Sequence, residues 1–240
     1  MYEEAIKDYD KVIELAPNNS NAYYNRGIAK YNLGQYKEAI KDYDKAIELD
    51  PNDSIAYNNR GISKSALGEY EEAIEDYDKA IELDINNATI YYNRGNAKSN
   101  LGEYEEAIKD YNKAVELNPN DIDSYYNRGN AKSNLGEYEE AIKDFDKSIE
   151  LNSNDPDSYY NRGNVKNTLK RYEEAIKDYD KSIELNPNYS DVYNNRGFAK
   201  EKLGQYQEAL QDFKKALELN PNNNTAKGNI KNIQDKYGLK

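Results

Sequence analysis

The apolar positions of this chain fall into two short runs of helical spacing, and the pair of runs returns every 34 residues. In the segment 20–53 the first run extends from about Asn21 to Leu33, and the second from about Tyr36 to Asp50. Gly34 separates the runs and Pro51 follows the second, and both residue types are stop signals at helix ends. The pattern predicts two antiparallel helices joined by a short turn.

The hairpin recurs six times, and each copy carries Asn-Arg-Gly in its first helix. A fixed period of this length is typical of helix pairs stacked in series. The predicted units are 20–53, 54–87, 88–121, 122–155, 156–189 and 190–223. Residues 1–19 match only the second helix of a unit, and residues 224–240 read as a capping helix with one apolar face. The unpaired half-unit suggests that the chain is a fragment of a longer protein.

The spacing of the recurrent side chains resembles the tetratricopeptide repeat, and it does so over residues 1–223 almost without gaps. In the first full unit the matching residues are Tyr23, Gly27, Tyr36, Ala39, Tyr43, Ala46 and Pro51. The resemblance implies an all-α fold, a right-handed α-solenoid of stacked antiparallel helix pairs. It also implies that the first helices line a concave groove that holds peptides or protein segments. Lys170 departs from the pattern because it replaces the turn glycine.

Composition narrows the function classes. The chain is only 37% hydrophobic and 32% charged, which favours disorder, but the regular repeat and 25 tyrosines supply a core. A net charge of −12 argues against nucleic acid and anionic membranes as partners. With no cysteine and no histidine, the sequence predicts no metal site, no cofactor and no nucleophile with a base, so it predicts a protein that is not an enzyme. The absence of cysteine is compatible with a cytoplasmic location.

Six arginines precede the repeat glycines, at a register that faces the second helix. A charge at that depth needs a partner, and an aspartate follows each arginine at the same spacing. We therefore expect structural ion pairs between Arg26, Arg60, Arg94, Arg128, Arg162 and Arg196 and Asp42, Asp76, Asp110, Asp144, Asp178 and Asp212. The alternative is that the arginines bind an anionic ligand. A row of lysines three residues after the glycines is interpreted as stems that pack while the ammonium groups reach solvent.

A different side of the first helices carries a column of asparagines, which the resemblance places on the concave surface. The predicted peptide-binding residues are Asn25, Asn59, Asn93, Asn127, Asn161 and Asn195, with Tyr24, Tyr92, Tyr126 and Tyr160 beside them and Asn96, Asn130 and Asn164 in a third column. An amide side chain can match a peptide group donor for acceptor, so a column of them could grip an extended chain. The column resembles the asparagine ladder of protein O-linked N-acetylglucosamine transferase.

Other interpretations of these features stay open at the level of sequence. Residues 91–110 and 125–144 are identical, so recent duplication could have copied asparagines that merely face solvent. A clamp for a peptide carboxylate would need basic residues that the groove registers do not carry. The expected function is a scaffold that binds a protein or peptide partner. The alternatives are a module that self-associates end to end, or the recognition arm of a larger enzyme.

Overall fold

The structure is a computed structural model that describes residues 1–238 of the 240-residue chain. The described residues form fourteen α-helices and no strand. The helices are α1 (Tyr2–Leu15), α2 (Ser20–Asn32), α3 (Tyr36–Leu49), α4 (Ser54–Ala66), α5 (Tyr70–Leu83), α6 (Ala88–Asn100), α7 (Tyr104–Leu117), α8 (Ile122–Asn134), α9 (Tyr138–Leu151), α10 (Pro156–Thr168), α11 (Tyr172–Leu185), α12 (Ser190–Lys202), α13 (Tyr206–Leu219) and α14 (Asn224–Tyr237).

Local sequence accounts for where the helices begin and end. Asp53 caps α4 by accepting hydrogen bonds from the backbone amides of Ile55 and Ala56. Gly34 leaves α2 with a φ of 74°, the left-handed conformation that reverses the chain at low steric cost. Lys170 adopts the same conformation with a φ of 61°, as the only non-glycine residue with positive φ among residues 1–238.

The chain divides into two compact units, Met1–Ser124 and Tyr125–Lys240, of which residues 239 and 240 lie outside the described part. In the first unit α2 packs against α3, α4 against α5 and α6 against α7, and α3 and α5 also contact the next hairpin. In the second unit α10 packs against α11 and α12 against α13, while α14 covers α13. The predicted all-α fold of antiparallel helix pairs is confirmed.

Each hairpin is locked by a glycine of the first helix and an aromatic ring of the second. A Cβ added to Gly61 would lie 2.7 Å from the Tyr77 ring, so only glycine lets the two helices approach this closely. Tyr77 is 1% exposed and packs with Ala73, Ala80, Ile90 and Ala97, which join one hairpin to the next. The second unit repeats the arrangement around Tyr179, with Ala175, Val192 and Ala199.

The outermost helices differ in how they are covered. On α14, Ala226 and Ile233 are buried, and Ile233 packs against Leu210 and Phe213 of α13. The sequence predicted this apolar face and the polar remainder of the helix. No residue of α1 is buried, and Val12 and Leu15 are 38% and 88% exposed.

Candidate functional site

Two rows of polar side chains run along the first helices, and the first row is the arginine register. The Arg60 guanidinium donates from Nε and Nη2 to the two carboxylate oxygens of Asp76, at 3.0 and 2.5 Å, and from Nη1 to Asp44 at 2.7 Å. Lys64 Nζ lies 2.8 Å from the same Asp76 carboxylate. The guanidinium also stands 5.4 Å from the ring centroid of Tyr57. Every donor group of the arginine side chain thus faces an acid or a ring of the protein.

The arginine, its buried aspartate and the lysine recur in the other repeats, whereas Asn112 replaces the outer aspartate beside Arg128. The arginine and its aspartate pair as Arg26–Asp42, Arg94–Asp110, Arg128–Asp144, Arg162–Asp178 and Arg196–Asp212. Lysine joins the pair in each repeat, as Lys30, Lys98, Lys132, Lys166 and Lys200. The arginine side chains are at most 18% exposed. These contacts disfavour the alternative in which the arginines receive an anionic ligand.

Burial alone would lower the pKa of Arg60, but the hydrogen bonds and charges of Asp76 and Asp44 raise it. The guanidinium therefore stays charged. The interpretation of the lysines as snorkelling to solvent is wrong, because each ammonium group pairs with the buried aspartate. The half-exposed Asp44 also takes part in the cluster, because it accepts a hydrogen bond from Arg60 of the next repeat. Asp44 precedes Arg60 by 16 residues, but spacing along the chain does not show that the two hairpins turn these side chains toward each other.

The second row is the Asn/Tyr face. We use this name for Tyr24, Asn25, Asn58, Asn59, Tyr92 and Asn93 in the first unit and for Tyr126, Asn127, Tyr160, Asn161, Asn194 and Asn195 in the second. In the first unit Asn59 Nδ2 donates to Tyr24 Oη of the preceding repeat at 2.9 Å. Asn93 Nδ2 donates in the same way to Asn58 Oδ1, also at 2.9 Å, and Asn58 Nδ2 donates to Asn59 Oδ1 at 3.3 Å. A chain of amides and a phenol therefore links three successive first helices.

The second unit contains the same chain. Asn161 Nδ2 donates to Tyr126 Oη at 2.7 Å, and Asn195 Nδ2 donates to Tyr160 Oη at 3.2 Å. Asn195 also donates to Asn164 Oδ1 at 2.8 Å. Asn229 of the capping helix continues the row by donating to Asn194 Oδ1 at 3.1 Å. The side chains are preoriented by bonds between repeats, which the sequence did not indicate.

The asparagine column is half-buried rather than sealed between helices. Asn25 differs from the other members with described contacts, since its amide donates to the Asn21 carbonyl of its own helix at 2.8 Å. In the third column Asn96 and Asn164 accept hydrogen bonds from the hydroxyls of Tyr111 and Tyr179, at 2.7 and 2.9 Å. Burial raises the pKa of the Tyr126 hydroxyl, and a hydrogen bond with the Asn130 side chain opposes this increase only in part.

Tyr189 adds an aromatic side chain to the Asn/Tyr face of the second unit, where the sequence offered no periodic signal. Its ring centroid lies 5.0 Å from that of Tyr160. Burial, and then the Asp157 carboxylate, raise the pKa of the Tyr189 hydroxyl. Its position just before α12 falls outside the repeated helix pattern, so periodicity could not have identified it.

A cleft of about 220 Å³ opens on the first unit between α2 and α4. It is lined by Ile28, Tyr31, Asn32, Tyr43, Asn59 and Ile62. None of these side chains is charged, so the cleft suits a neutral group. Asn59 belongs to the predicted peptide-binding column, whereas the two isoleucines occupy the third column, where later repeats carry asparagine or phenylalanine.

Two further features of residues 1–238 bear on function. No helix there combines the length and the apolar character that crossing a membrane requires. The same residues contain no group of three or more acidic side chains placed to hold a metal ion.

Comparison with known proteins identifies the repeat. A family model described as Tetratricopeptide repeat matches residues 20–53, 88–121, 122–155, 156–189 and 190–223. A TPR repeat model matches residues 1–34 and 65–102, and a further Tetratricopeptide repeat model matches residues 42–75. None of the curated proteins matches the chain significantly.

Solved structures with the same architecture include MamA, YrrB and part of a protein from Cytophaga hutchinsonii. MamA is 32% identical, with 67% of this chain and 94% of MamA aligned at a TM-score of 0.65. YrrB, described as a TPR protein with an unusual peptide-binding site, is 29% identical. The alignment covers 79% of this chain and 97% of YrrB at a TM-score of 0.69. The C-terminal part of a TPR repeat-containing protein from Cytophaga hutchinsonii is 23% identical, with 95% of this chain and 94% of that structure aligned at a TM-score of 0.78, which shows the fold alone. The chain belongs to the tetratricopeptide repeat family, and the predicted α-solenoid fold class is confirmed.

Proposed function

We propose that this chain is a protein-interaction scaffold that binds an extended peptide along the Asn/Tyr face. Tetratricopeptide repeats and the similar TPR proteins support the scaffold role in general terms. The observation that carries the finer proposal is the inter-repeat bonding of the amides, such as Asn161 to Tyr126. A side chain held in place by its neighbour loses little conformational freedom when it binds a ligand.

Peptide backbone is the ligand chemistry that fits these side chains. The amide of Asn161 has a second hydrogen and a carbonyl oxygen beyond its bond to Tyr126. A peptide group offers the complementary acceptor and donor at every residue. Tyrosines such as Tyr160 add flat contact area. Binding through the backbone would make modest demands on the partner's sequence, and the acidic chain favours neutral or basic partners.

The proposal is tested with peptides selected on the intact protein from a random display library. The affinity of the selected peptide is then measured by calorimetry for the wild type and for the double variant Asn59→Ala/Asn93→Ala. The control is Asn52→Ala/Asn86→Ala, which removes two exposed loop amides. We expect the first variant to weaken binding by roughly 10-fold to 100-fold, since two hydrogen bonds are lost, and the control to leave it unchanged.

The two ladder substitutions also break internal bonds to Tyr24 and Asn58, so circular dichroism must show that the variant is folded at the assay temperature. Equal affinities for the folded ladder variant and the loop control would refute the role of the asparagines. If the library yields no binding peptide, the proposed peptide scaffold is itself wrong.

We also infer a second candidate, end-to-end association of two copies through α1. Val12 and Leu15 are exposed on α1. Ala46, which occupies the position of Val12 one repeat later on α3, is only 1% exposed. Burial of such side chains against a second copy would be favourable. Sedimentation equilibrium over a range of concentrations tests this. We expect Val12→Lys/Leu15→Lys to be monomeric where the wild type associates, and a wild type that stays monomeric at every concentration would rule the candidate out.

A further inference from the structure

In each full repeat one aromatic ring of the second helix packs against the repeat glycine; these rings belong to Tyr43, Tyr77, Tyr111, Phe145, Tyr179 and Phe213. The tyrosines of this set are bonded within their own repeats, with one exception. Tyr77 Oη lies 3.2 Å from Ser65 Oγ, Tyr111 donates to Asn96, and Tyr179 donates to Asn164. The acceptors come from two positions of the first helix, directly after the repeat glycine and four residues after it. A buried phenol at this register is thus matched by an acceptor in the first helix.

Tyr43 is the exception. It is 1% exposed, and its repeat carries Ile28 and Tyr31 at the two acceptor positions. No described residue forms a hydrogen bond with its hydroxyl, and Tyr43 lines the 220 Å³ cleft. The hydroxyl has no partner within the described part of the chain and borders the cleft, so it can donate to an acceptor that enters the cleft. Burial raises the pKa of the hydroxyl, which therefore remains a donor at neutral pH.

The other groups of the cleft specify what the entering acceptor is attached to. Ile28 and Ile62 form apolar walls, and no charged residue lines the cleft. A carboxylate or ammonium group would be desolvated there without a counter-charge. Asn59 already donates to Tyr24 and accepts from Asn58. Asn32 donates its amide to the Ile28 carbonyl, which leaves its own side-chain oxygen as an acceptor at the exposed end of the cleft.

We propose that this cleft is a side-chain subsite that selects an uncharged residue with an apolar stem and a terminal carboxamide, glutamine, in the bound peptide. The glutamine carbonyl accepts from the Tyr43 hydroxyl, its amide donates to the Asn32 side-chain oxygen, and its methylene groups contact Ile28 and Ile62. The inference rests on the proposed peptide-binding function, and it adds a sequence preference at one position to binding that is otherwise through the backbone.

The test uses the peptides selected on the wild-type protein. We expect one position to be enriched in glutamine, and replacing that glutamine by leucine or glutamate to weaken binding. Tyr43→Phe removes only the hydroxyl, and phenylalanine occupies the same register at Phe145 and Phe213, so the fold is retained. This variant should bind the glutamine peptide roughly 10-fold more weakly, as expected for one hydrogen bond, and bind the leucine peptide as the wild type does.

A second variant uses the residue that the later repeats carry. Ile28→Asn supplies Tyr43 with the internal acceptor that Asn96 supplies to Tyr111, so it should abolish the preference for glutamine while keeping the protein folded. Peptide binding that shows no glutamine enrichment, or equal affinities of the wild type and Tyr43→Phe for the glutamine peptide, would overturn the subsite and leave the scaffold standing. A library that yields no binder overturns both proposals.

Discussion

Lys170 occupies a turn position that glycine holds in the other full repeats, and its backbone has the same left-handed conformation, with a φ of 61°. A side chain with a Cβ is strained there by roughly 1 kcal/mol, because the Cβ approaches the following carbonyl oxygen. We expect Lys170→Gly to raise the free energy of unfolding by about 1 kcal/mol, measured as an increased urea midpoint. The reverse exchange one repeat earlier, Gly136→Lys, should lower it by a similar amount. A lower midpoint for Lys170→Gly would mean that the turn is not strained.

For individual residues, the sequence predicted some side-chain contacts and missed others. The 16-residue spacing predicts that Arg60 meets Asp76, and the two side chains lie 2.5 Å apart in the structure. The contact of Arg60 with Asp44 was missed, because it depends on how the next hairpin is rotated, and the charge pattern of one helix does not contain that rotation. The bond from Asn59 to Tyr24 was missed for the same reason. Residues whose partners lie within one hairpin were predictable, and residues that join two hairpins were not.

At the scale of the element, glycines within the helices are of two kinds that differ in what surrounds them. Gly61 faces the Tyr77 ring, where an added Cβ would lie at 2.7 Å, and Gly228 on α14 has nothing within 4 Å of the same position. We expect Gly61→Ala to destabilise the protein by about 1–3 kcal/mol through overpacking. Gly228→Ala should stabilise it by about 0.5–1 kcal/mol, because alanine favours helix. Thermal melting of the two variants measures both, and effects of the same sign would contradict the packing argument.

The cluster around Arg60 joins α3, α4 and α5, and its two aspartates differ in burial. The Asp76 side chain is 4% exposed and the Asp44 side chain is 55% exposed, although both bond Arg60. Neutralising the buried acid leaves a half-buried guanidinium without its main partner, so we expect Asp76→Asn to cost about 3 kcal/mol or more. Asp44→Asn removes a contact that solvent screens, and it should cost about 1 kcal/mol or less. Urea unfolding of the two variants compares them directly, and equal losses would show that burial does not set the strength of the cluster.

Across the whole molecule, two electrostatic effects respond to salt in opposite directions. The net charge of −12 produces self-repulsion that added salt screens, which stabilises the folded protein. The arginine clusters are weakened by salt, but their central aspartates are only 4–7% exposed, and buried pairs are screened much less than surface charges. We therefore expect the melting temperature to rise between about 0.02 M and about 0.5 M NaCl, well below the range in which salt acts mainly on hydrophobic burial. Replacing the exposed residues Glu71, Glu105 and Glu173 by glutamine removes three negative charges and should make this rise smaller. A melting temperature that falls with salt would instead show that the clusters outweigh the repulsion, and that the stability of the array depends on ion pairs more than on the glycine and tyrosine packing of its hairpins.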